Sequence, residues 1–375
     1  MKKIVVLATY VGINNRGAET FVIELIKRLT EKYKIEVYSL GYSEELRNHL
    51  IQVSSPLPFW LKVHSFLFNK ISFYKKLCYF LYYPIPDILF QDIFTKKVHR
   101  SYLRNRNDID LFFPTNGISG AKLGSFLKLK RNVPFICTGH GGIGPGEKKI
   151  LQQKPNIYIA LTEENRRWAD TYGENVIKIY NGVDTTYFSP INNKEVSKEK
   201  IVLCVAALTA FKRQKLLIDA VERLQDTKLL LVGTGEMKDE IETYGVSKLG
   251  SRFSISSVPY NEIKQHYSLC SVFSLPSLNE PFGIVYLEAL AMNKPIVVPD
   301  DSSRREIIGD AGIYCDVENA EKYAEALRLA ISKNWGNIPR NRATNIFDWT
   351  IISDEYSQII DETIKMNEIK LSKNN

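Results

Sequence analysis

The chain has 375 residues, 44% of them hydrophobic and 25% charged, and no low-complexity tract, which excludes a disordered or fibrous protein and predicts two folded domains. Its five cysteines lie singly, so neither a disulfide framework nor a zinc site is indicated, and a reducing, cytoplasmic location is expected. The formal net charge of +8 favours anionic partners such as nucleotides, phospholipid surfaces or nucleic acid, without choosing among them.

The first half of the chain alternates short apolar runs with amphipathic helical patterns. The opening run IVVLATY is interpreted as a first strand and not as part of a targeting segment, because polar residues follow it without a small-residue cleavage site. A helical pattern, AETFVIELIKRLTEKY, and a second strand, IEVYSL, follow at the spacing of a βαβ unit, which predicts a parallel sheet. Further strands are predicted near Phe112, Phe135, Ile159 and Ile177.

The second half repeats this alternation, with strands predicted at IVLCVAAL, KLLLVGTG, SVFSLP and PIVVP. The polar stretch between the two series is typical of a solvated linker, which places a domain boundary near residues 189–200. The predicted fold class is therefore α/β, with two doubly wound parallel-sheet domains at 1–190 and 195–347. In such sheets ligands bind beyond the carboxyl ends of the strands, and a cleft between two domains is the default site.

Glu288 is the only charged residue of the apolar run PFGIVYLEALAMN. The proline and glycine of this run place a helix start near residues 282–284, and Glu288 then points where a core residue would. The amides of such a helix start form an anion site, and Gly283 allows close approach of a ligand. Carboxylates beside a phosphate are useful only if they accept hydrogen bonds from flanking hydroxyl groups, so Glu280 and Glu288 predict a nucleotide sugar. The alternative is that a buried lysine or a backbone group satisfies Glu288 and that Glu280 caps the helix.

The run EPFGIVYLE, from Glu280 to Glu288, resembles the paired-glutamate motif of the retaining glycosyltransferases of family 4, which have the GT-B fold. Other segments are similar to that family in the same order: NGVD, LVGTGE, REIIGDAGIYCD and the tryptophan-bearing run FDWTIISDEYSQII. The resemblance spans nearly the whole chain and is weakest at 57–106. It implies two Rossmann-like domains facing a cleft, an acceptor side in the first and a nucleotide-sugar site in the second. It also implies a C-terminal helix, 348–368, that packs back on the first domain.

The resemblance also implies which side chains meet the diphosphate and the sugar. Lys212 occupies the position of the family's phosphate-binding lysine, whereas Ala207 replaces a nearby arginine. Arg213 or Lys215 could supply the missing charge, or both could be ordinary solvated residues. His140, in CTGHGG, resembles the histidine that contacts the donor sugar, although a lone histidine is more often structural.

The loop RGAE, at residues 16–19, resembles the Gly-Gly-Ala-Glu loop of the family, which faces the donor or the acceptor. Gly17 would permit close approach of the ligand, and Arg16 could meet the diphosphate or an anionic acceptor, or simply be exposed. The catalytic residues expected from the resemblance are His140, Lys212 and Glu280. The expected donor-binding residues are Arg16, Gly17, Lys212, Arg213, Thr234, Gly235, Glu280, Phe282, Gly283, Ile284 and Glu288.

The family transfers a sugar from a nucleotide donor to a hydroxyl group with retention of the anomeric configuration. The resemblance thus implies a hexosyltransferase that uses a UDP- or GDP-linked donor and needs neither a cofactor nor a metal. Lys212 and the helix amides near Gly283 would stabilise the leaving diphosphate. Glu280 and His140 would hold the sugar, and Glu288 would hold the ribose diol.

Residues 56–90 concentrate aromatic residues among lysines, without the run of about eighteen apolar residues that a spanning helix needs. The segment could lie on an anionic membrane surface or pack as a helical excursion on the first domain. With the net charge it favours a glycan or a lipid-linked acceptor, as in bacterial surface polysaccharide or glycolipid assembly, and a peripheral position at the inner face of the membrane. Nucleic acid is not expected as a partner, because no nucleic-acid motif is visible.

Two other functions stay open at this point. The chain could be another GT-B enzyme, such as a phosphorylase or a nucleotide-sugar epimerase, although no phosphorylase insertion or cofactor-lysine context is evident. It could also be a non-catalytic subunit that binds nucleotide sugars, which Ala207 suggests. Release of a free nucleoside diphosphate from donor and acceptor would distinguish a transferase from both.

Overall fold

The computed structural model describes residues 1–13, 17–54, 85–115, 117–191 and 199–374, with side chains apart from those of 85–88 and 374. Arg16 and residues 56–84 of the aromatic segment lie outside the described residues. The chain divides into two compact units, one made of Met1–Tyr180 with Thr350–Asn375 and the other of Asn181–Trp349. Both units combine parallel sheets with helices, as the alternation of apolar runs predicts.

The described part of the first unit contains seven strands: β1 (Lys3–Leu7), β2 (Lys34–Ser39), β3 (Leu50–Gln52), β4 (Leu111–Pro114), β5 (Ile136–Thr138), β6 (Ile157–Ala160) and β7 (Val176–Lys178). One sheet has the order β3-β2-β1-β4, and another has the order β5-β6-β7, all parallel. A parallel bridge between Phe112 and Phe135 joins β4 to the segment that leads into β5. The four strands predicted near Phe112, Phe135, Ile159 and Ile177 are confirmed.

The described helices of the first unit, apart from a C-terminal one, are α1 (Gly17–Leu29), α2 (Ile85–Val98), α3 (Ile118–Arg131), α4 (Pro145–Leu151) and α5 (Glu163–Asp170). The helix α1 buries Phe21, Leu25 and Leu29, which are spaced by four and form the apolar stripe of its sequence pattern. In α2, Phe90 packs against the core while Leu89 is exposed.

The second unit is built on one six-stranded parallel sheet of order β10-β9-β8-β11-β12-β13. Its strands are β8 (Lys200–Val205), β9 (Thr227–Val232), β10 (Phe253–Ser256), β11 (Val272–Ser274), β12 (Ile296–Pro299) and β13 (Gly312–Cys315). Its helices are α6 (Gln214–Glu222), α7 (Lys238–Leu249), α8 (Ile263–Leu269), α9 (Ile284–Ala291), α10 (Ser302–Ile308), α11 (Ala320–Ser332) and α12 (Ile338–Ile346). The strand order reverses between β8 and β11, and a doubly wound sheet binds its ligand at such a switch point.

The boundary between the units lies earlier than the sequence predicts. Residues 181–190, which we assigned to the first domain, belong to the second unit. Val183 forms a parallel bridge with Asp348, and the guanidinium of Arg340 donates to Phe188 O at 2.6 Å and to Thr185 O at 2.7 Å. The sequence does not indicate these contacts, because residues 183–188 make them largely through main-chain groups.

The C-terminal helix α13 (Trp349–Asn374) extends beyond the predicted 348–368, and from Thr350 onwards it belongs to the first unit. Tyr356 is buried against the rings of Phe21 and Phe113, at centroid distances of 5.6 Å and 6.3 Å. The hydroxyl of Tyr33 donates to Asp361 Oδ1 at 2.8 Å. Among the described helices, none combines the length and the apolar character that crossing a bilayer requires.

We expect Tyr356→Ala to lower the free energy of unfolding of the first unit by about 3 kcal/mol or more, because a large buried ring is replaced by a cavity. Urea unfolding followed by circular dichroism would measure the change. The matched control is Asp354→Ala on the same helix, where an exposed ion pair with Lys32 at 3.0 Å is lost and a change of less than about 1 kcal/mol is expected. Equal effects of the two substitutions would contradict the packing of α13 on this unit.

Candidate active site

The helix α9 begins where the sequence predicts, at Ile284, with Gly283 as its N-cap residue. Gly283 has φ +83°, a left-handed conformation that glycine adopts without strain. A Cβ atom at this position would lie 2.4 Å from Cε2 of Tyr286, so no other residue fits here without displacing that ring. The first amides of a helix have no partner within the helix, and together with the helix dipole they make this end of α9 suitable for an anion.

Lys212 and Glu280 come together at the switch point of the sheet, since Lys212 follows β8 and Glu280 follows β11. Lys212 Nζ donates to Glu280 Oε2 at 2.5 Å, and their side chains are 25% and 10% exposed. The two loops are also joined through the main chain, because Leu278 N donates to Phe211 O at 2.8 Å. The pair places a cation and a hydroxyl-accepting carboxylate next to each other close to the start of α9.

Glu288 is 4% exposed and lies on the buried side of α9, as predicted. Its partners are two tyrosine hydroxyls: Tyr267 donates to Oε2 at 2.6 Å, and Tyr260 donates to Oε1 at 3.2 Å. Burial raises the pKa of the Glu288 carboxyl, and the two tyrosine hydrogen bonds partly offset this effect. The alternative that a buried lysine or a backbone group satisfies Glu288 is therefore wrong, because two phenolic hydroxyls donate to the carboxylate.

Two predicted donor-binding side chains have other contacts. Arg213 donates from Nε to Pro276 O at 2.7 Å and forms an ion pair with Glu318, so its guanidinium ties down the loop before Glu280. Phe282 is buried and packs edge-on against Phe347, with ring centroids 6.4 Å apart. Both side chains therefore have structural contacts in the ligand-free protein, and their expected roles in donor binding stay a prediction.

Thr234 and Gly235 lie in the turn after β9, against the loop that follows β8. Leu208 N donates to Thr234 O at 2.8 Å. A Cβ atom on Gly235 would come within 2.3 Å of Leu208 O, so the two loops approach more closely than any side chain would allow. Both residues are exposed at the carboxyl edge of the sheet, where the sequence prediction places them.

In the first unit, the structure brings the loop after β5 against α1. His140 follows β5, and its ring centroid lies 4.6 Å from that of Phe21. Phe21 is on the first turns of α1, four residues after Gly17. His140 Nε2 is buried and has no hydrogen-bond partner among the described residues. Burial lowers the pKa of the imidazole to about 4, so the ring is neutral at physiological pH. A neutral imidazole can both donate and accept a hydrogen bond, which suits a sugar hydroxyl.

The sequence reasoning missed Glu147, which holds the loop around His140. This buried carboxylate accepts a hydrogen bond from Gly141 N at 2.7 Å and another from the hydroxyl of Tyr158 at 2.7 Å. Burial raises the pKa of Glu147, and these two bonds partly offset the rise. The glycines on each side of His140 were the only available signal, since the segment GEKK around Glu147 is typical of an exposed helix start.

Arg304 is a second residue that the sequence did not indicate. It is 4% exposed, and it donates to Ser277 O at 2.6 Å and to the hydroxyl of Tyr286 at 3.2 Å. Ser277 precedes Glu280 on the loop, and Tyr286 packs under Gly283. Arg304 therefore fixes the loop and the first turn of α9 to each other, while Asp301 pairs with its charge.

The described residues contain no group of three or more His, Cys, Asp or Glu side chains arranged to hold a metal ion. The expectation that the chemistry needs no metal is not tested by this observation and stays a prediction.

Family models match both halves of the chain. The model described as "Glycosyltransferase Family 4" matches residues 15–187, and the model described as "Glycosyl transferases group 1" matches residues 188–346. An uncharacterized glycosyltransferase of Methanocaldococcus jannaschii is 28% identical over 252 residues, which cover 57% of this chain and 64% of that protein. The phosphatidyl-myo-inositol mannosyltransferase of Mycolicibacterium smegmatis is 26% identical over 246 residues, which cover 62% of each. The matched part thus spans a little under two thirds of these curated relatives.

Solved structures share the fold over nearly the whole chain. The structure of Anabaena HepE in complex with UDP and glucose has a TM-score of 0.72 and covers 96% of this chain and 100% of that one, at 17% identity. At this identity the likeness establishes the fold. The architecture expected from the sequence is therefore confirmed: two Rossmann-like α/β domains of the GT-B type.

The neutral state of His140 makes a pH prediction. In the unfolded chain the imidazole takes up a proton near pH 6.5, whereas in the native protein it does so only near pH 4, so stability falls as the pH drops through this range. Between these two pH values the imidazole should lower the free energy of unfolding of the native protein by up to about 3 kcal/mol. We expect His140→Asn, which has no imidazole, to lack this decrease. Urea unfolding at pH 7 and at pH 4.5 would measure it, and parallel pH profiles of the two proteins would contradict the buried, neutral imidazole.

Proposed function

Because the chain belongs to family 4 of the glycosyltransferases, with the GT-B fold, we propose that it transfers a hexosyl group from a nucleoside-diphosphate sugar to a hydroxyl acceptor with retention of the anomeric configuration. The observation that carries the proposal is the pairing of Lys212 with Glu280 beside the start of α9. This arrangement supplies a cation and helix amides for a diphosphate, next to a carboxylate that can accept hydrogen bonds from sugar hydroxyls.

The reaction breaks the bond between the anomeric carbon and the diphosphate oxygen, and it forms a bond from the same carbon to the acceptor oxygen. Negative charge develops on the leaving diphosphate, where Lys212 and the amides after Gly283 stabilise it. For this, Lys212 must turn from Glu280 towards the phosphate, which leaves Glu280 to accept from the sugar hydroxyls. The proton of the acceptor hydroxyl passes to the departing diphosphate, so no protein base is required.

Glu288 is suited to the ribose of the donor. Its carboxylate is buried on α9, one helical turn after the amides of the anion site. It already accepts hydrogen bonds from two hydroxyl groups. A ribose diol offers the same kind of donor. His140, as a neutral imidazole, is suited to a sugar hydroxyl.

We further propose a glycan or lipid-linked acceptor, and a cytoplasmic protein in peripheral contact with the inner face of a membrane. The mycobacterial relative is named a phosphatidyl-myo-inositol mannosyltransferase, and the net charge of +8 favours an anionic surface. The lysine-rich aromatic segment 56–90 supports the same view through its sequence. A role in bacterial surface polysaccharide or glycolipid assembly would follow.

A thermal-shift panel of UDP, GDP, ADP and their hexose conjugates tests donor binding, since a ligand that binds only the native state raises the melting temperature. Release of free nucleoside diphosphate, measured in EDTA with a lipid-linked or soluble glycan acceptor, then tests transfer without a metal. If a nucleotide sugar binds but no nucleoside diphosphate is released with any acceptor tested, a non-catalytic subunit would be favoured. An absence of any thermal shift would contradict the proposal.

Lys212→Ala should lower kcat about 100-fold, because the leaving diphosphate loses its cation in the transition state. The release of nucleoside diphosphate under saturating donor measures this effect. Lys228→Ala is the matched control. Lys228 lies at the amino-terminal end of β9, whereas the site loops follow the carboxyl ends of the strands, and its exposed ammonium pairs with Glu199 at 2.5 Å. The rate of this variant should equal that of the native protein. A native rate for Lys212→Ala would contradict the role of the lysine.

The two glutamates should separate binding from turnover. We expect Glu288→Ala to weaken binding of the nucleoside diphosphate about tenfold or more, because the ribose loses its acceptor. Glu280→Ala should mainly lower kcat and leave the affinity for the nucleoside diphosphate nearly unchanged, because that ligand lacks the transferred hexose that Glu280 is proposed to hold. Titration calorimetry and initial rates on both variants provide the comparison, and unchanged kinetics in both would be incompatible with the assignment.

A further inference from the structure

The two hydrogen bonds that satisfy Glu288 are unequal. Tyr267 is fully buried, and its hydroxyl lies 2.6 Å from Oε2. Tyr260 is 45% exposed, and its hydroxyl lies 3.2 Å from Oε1. One carboxylate oxygen thus has a short bond to a fixed donor, and the other has a longer bond to a side chain that borders solvent.

Tyr260 lies where a ligand would enter. It begins a short 3-10 helix, Tyr260–Glu262, in the loop after β10, at the carboxyl edge of the sheet. The hydroxyl of Tyr187 donates to Asn261 O at 2.8 Å and anchors the main chain of this turn. The Tyr260 ring packs edge-on to Phe188 at 6.0 Å, and 45% of the residue is exposed to solvent, so the side chain has room to turn about its own bonds while the turn stays in place.

A buried carboxylate without a donor carries a large desolvation cost, so Glu288 needs a hydroxyl on each oxygen. If ribose hydroxyls bind Glu288, as our proposed function requires, then one of the present donors must leave. Only Tyr260 has solvent beside it. We propose that the Tyr260 hydroxyl is a displaceable substitute for a ribose hydroxyl: it satisfies Glu288 Oε1 in the absence of nucleotide and yields that oxygen to the donor on binding.

This inference gives the two tyrosines opposite roles. Tyr267 orients the carboxylate, and its hydrogen bond persists when the nucleotide binds. Tyr260 competes with the nucleotide, and its hydrogen bond is lost. Removing the Tyr260 hydroxyl should therefore strengthen nucleotide binding, whereas a tyrosine that merely supported the site would weaken binding when its hydroxyl was removed.

The test is Tyr260→Phe, titrated by calorimetry with UDP, and with GDP and ADP in parallel. We expect the dissociation constant of the nucleotide that binds the native protein to fall about threefold to tenfold, which corresponds to one hydrogen bond that no longer has to be broken. The variant without ligand should also have a lower melting temperature than the native protein, and saturating nucleotide should restore most of the difference. An unchanged or weaker affinity in Tyr260→Phe would overturn the inference.

Two controls make the result specific. The 2′,3′-dideoxy counterpart of the same nucleotide has no ribose hydroxyl for Glu288, so Tyr260→Phe should not improve its binding, and an equal gain would overturn the inference. Tyr267→Phe removes the hydroxyl from the other oxygen and should not strengthen binding of the full nucleotide. If the native protein binds none of the three nucleotides, the proposed function itself fails; if it binds one and Tyr260→Phe gives no gain, only the present inference fails.

Discussion

The placement of a carboxylate inside an apolar helix is the constraint on which the site depends. Glu288 lies on the buried face of α9, where an unpaired charge would be costly, and two tyrosine hydroxyls satisfy it. Only groups that donate hydrogen bonds can replace those hydroxyls. In our proposal the ribose of the donor supplies such a group, so the chemistry of this part of α9 would follow from one residue type at one position.

The same end of α9 is held by contacts from several loops. Arg304 joins Ser277 to Tyr286, Arg213 bonds to Pro276 O, and Tyr286 leaves room only for a glycine at position 283. These contacts fix the helix amides and the carboxylate of the loop relative to the strands β8 and β11, where the order of the sheet reverses. Rigid placement matters because a phosphate is recognised by fixed donors, and mobile donors would have to be ordered at the cost of affinity.

Much of this could be read from the sequence, because the relevant signals are local. The apolar runs of β8, β9, β11 and β12 are continuous, and the proline and glycine before Ile284 mark the helix start. The strands β3, β10 and β13 escaped prediction because LIQ in β3, FSIS in β10 and GIYC in β13 have no distinctive period. Their positions are set by pairing with β2, β9 and β12, which is a tertiary effect.

The partners of Glu288 could not be predicted for a related reason. Tyr260 and Tyr267 precede it by 28 and 21 residues. The sequence around each tyrosine is compatible with either a buried or an exposed side chain. Glu147 and Arg304 are similar cases, since charged residues near helix starts are usually solvated. The most direct test of the account is a crystal structure of the protein with the nucleoside diphosphate that it binds. The account predicts the diphosphate at the amides of Gly283 and Ile284 and a ribose hydroxyl on Glu288. A nucleotide bound elsewhere, with Glu288 still held by both tyrosines, would contradict it.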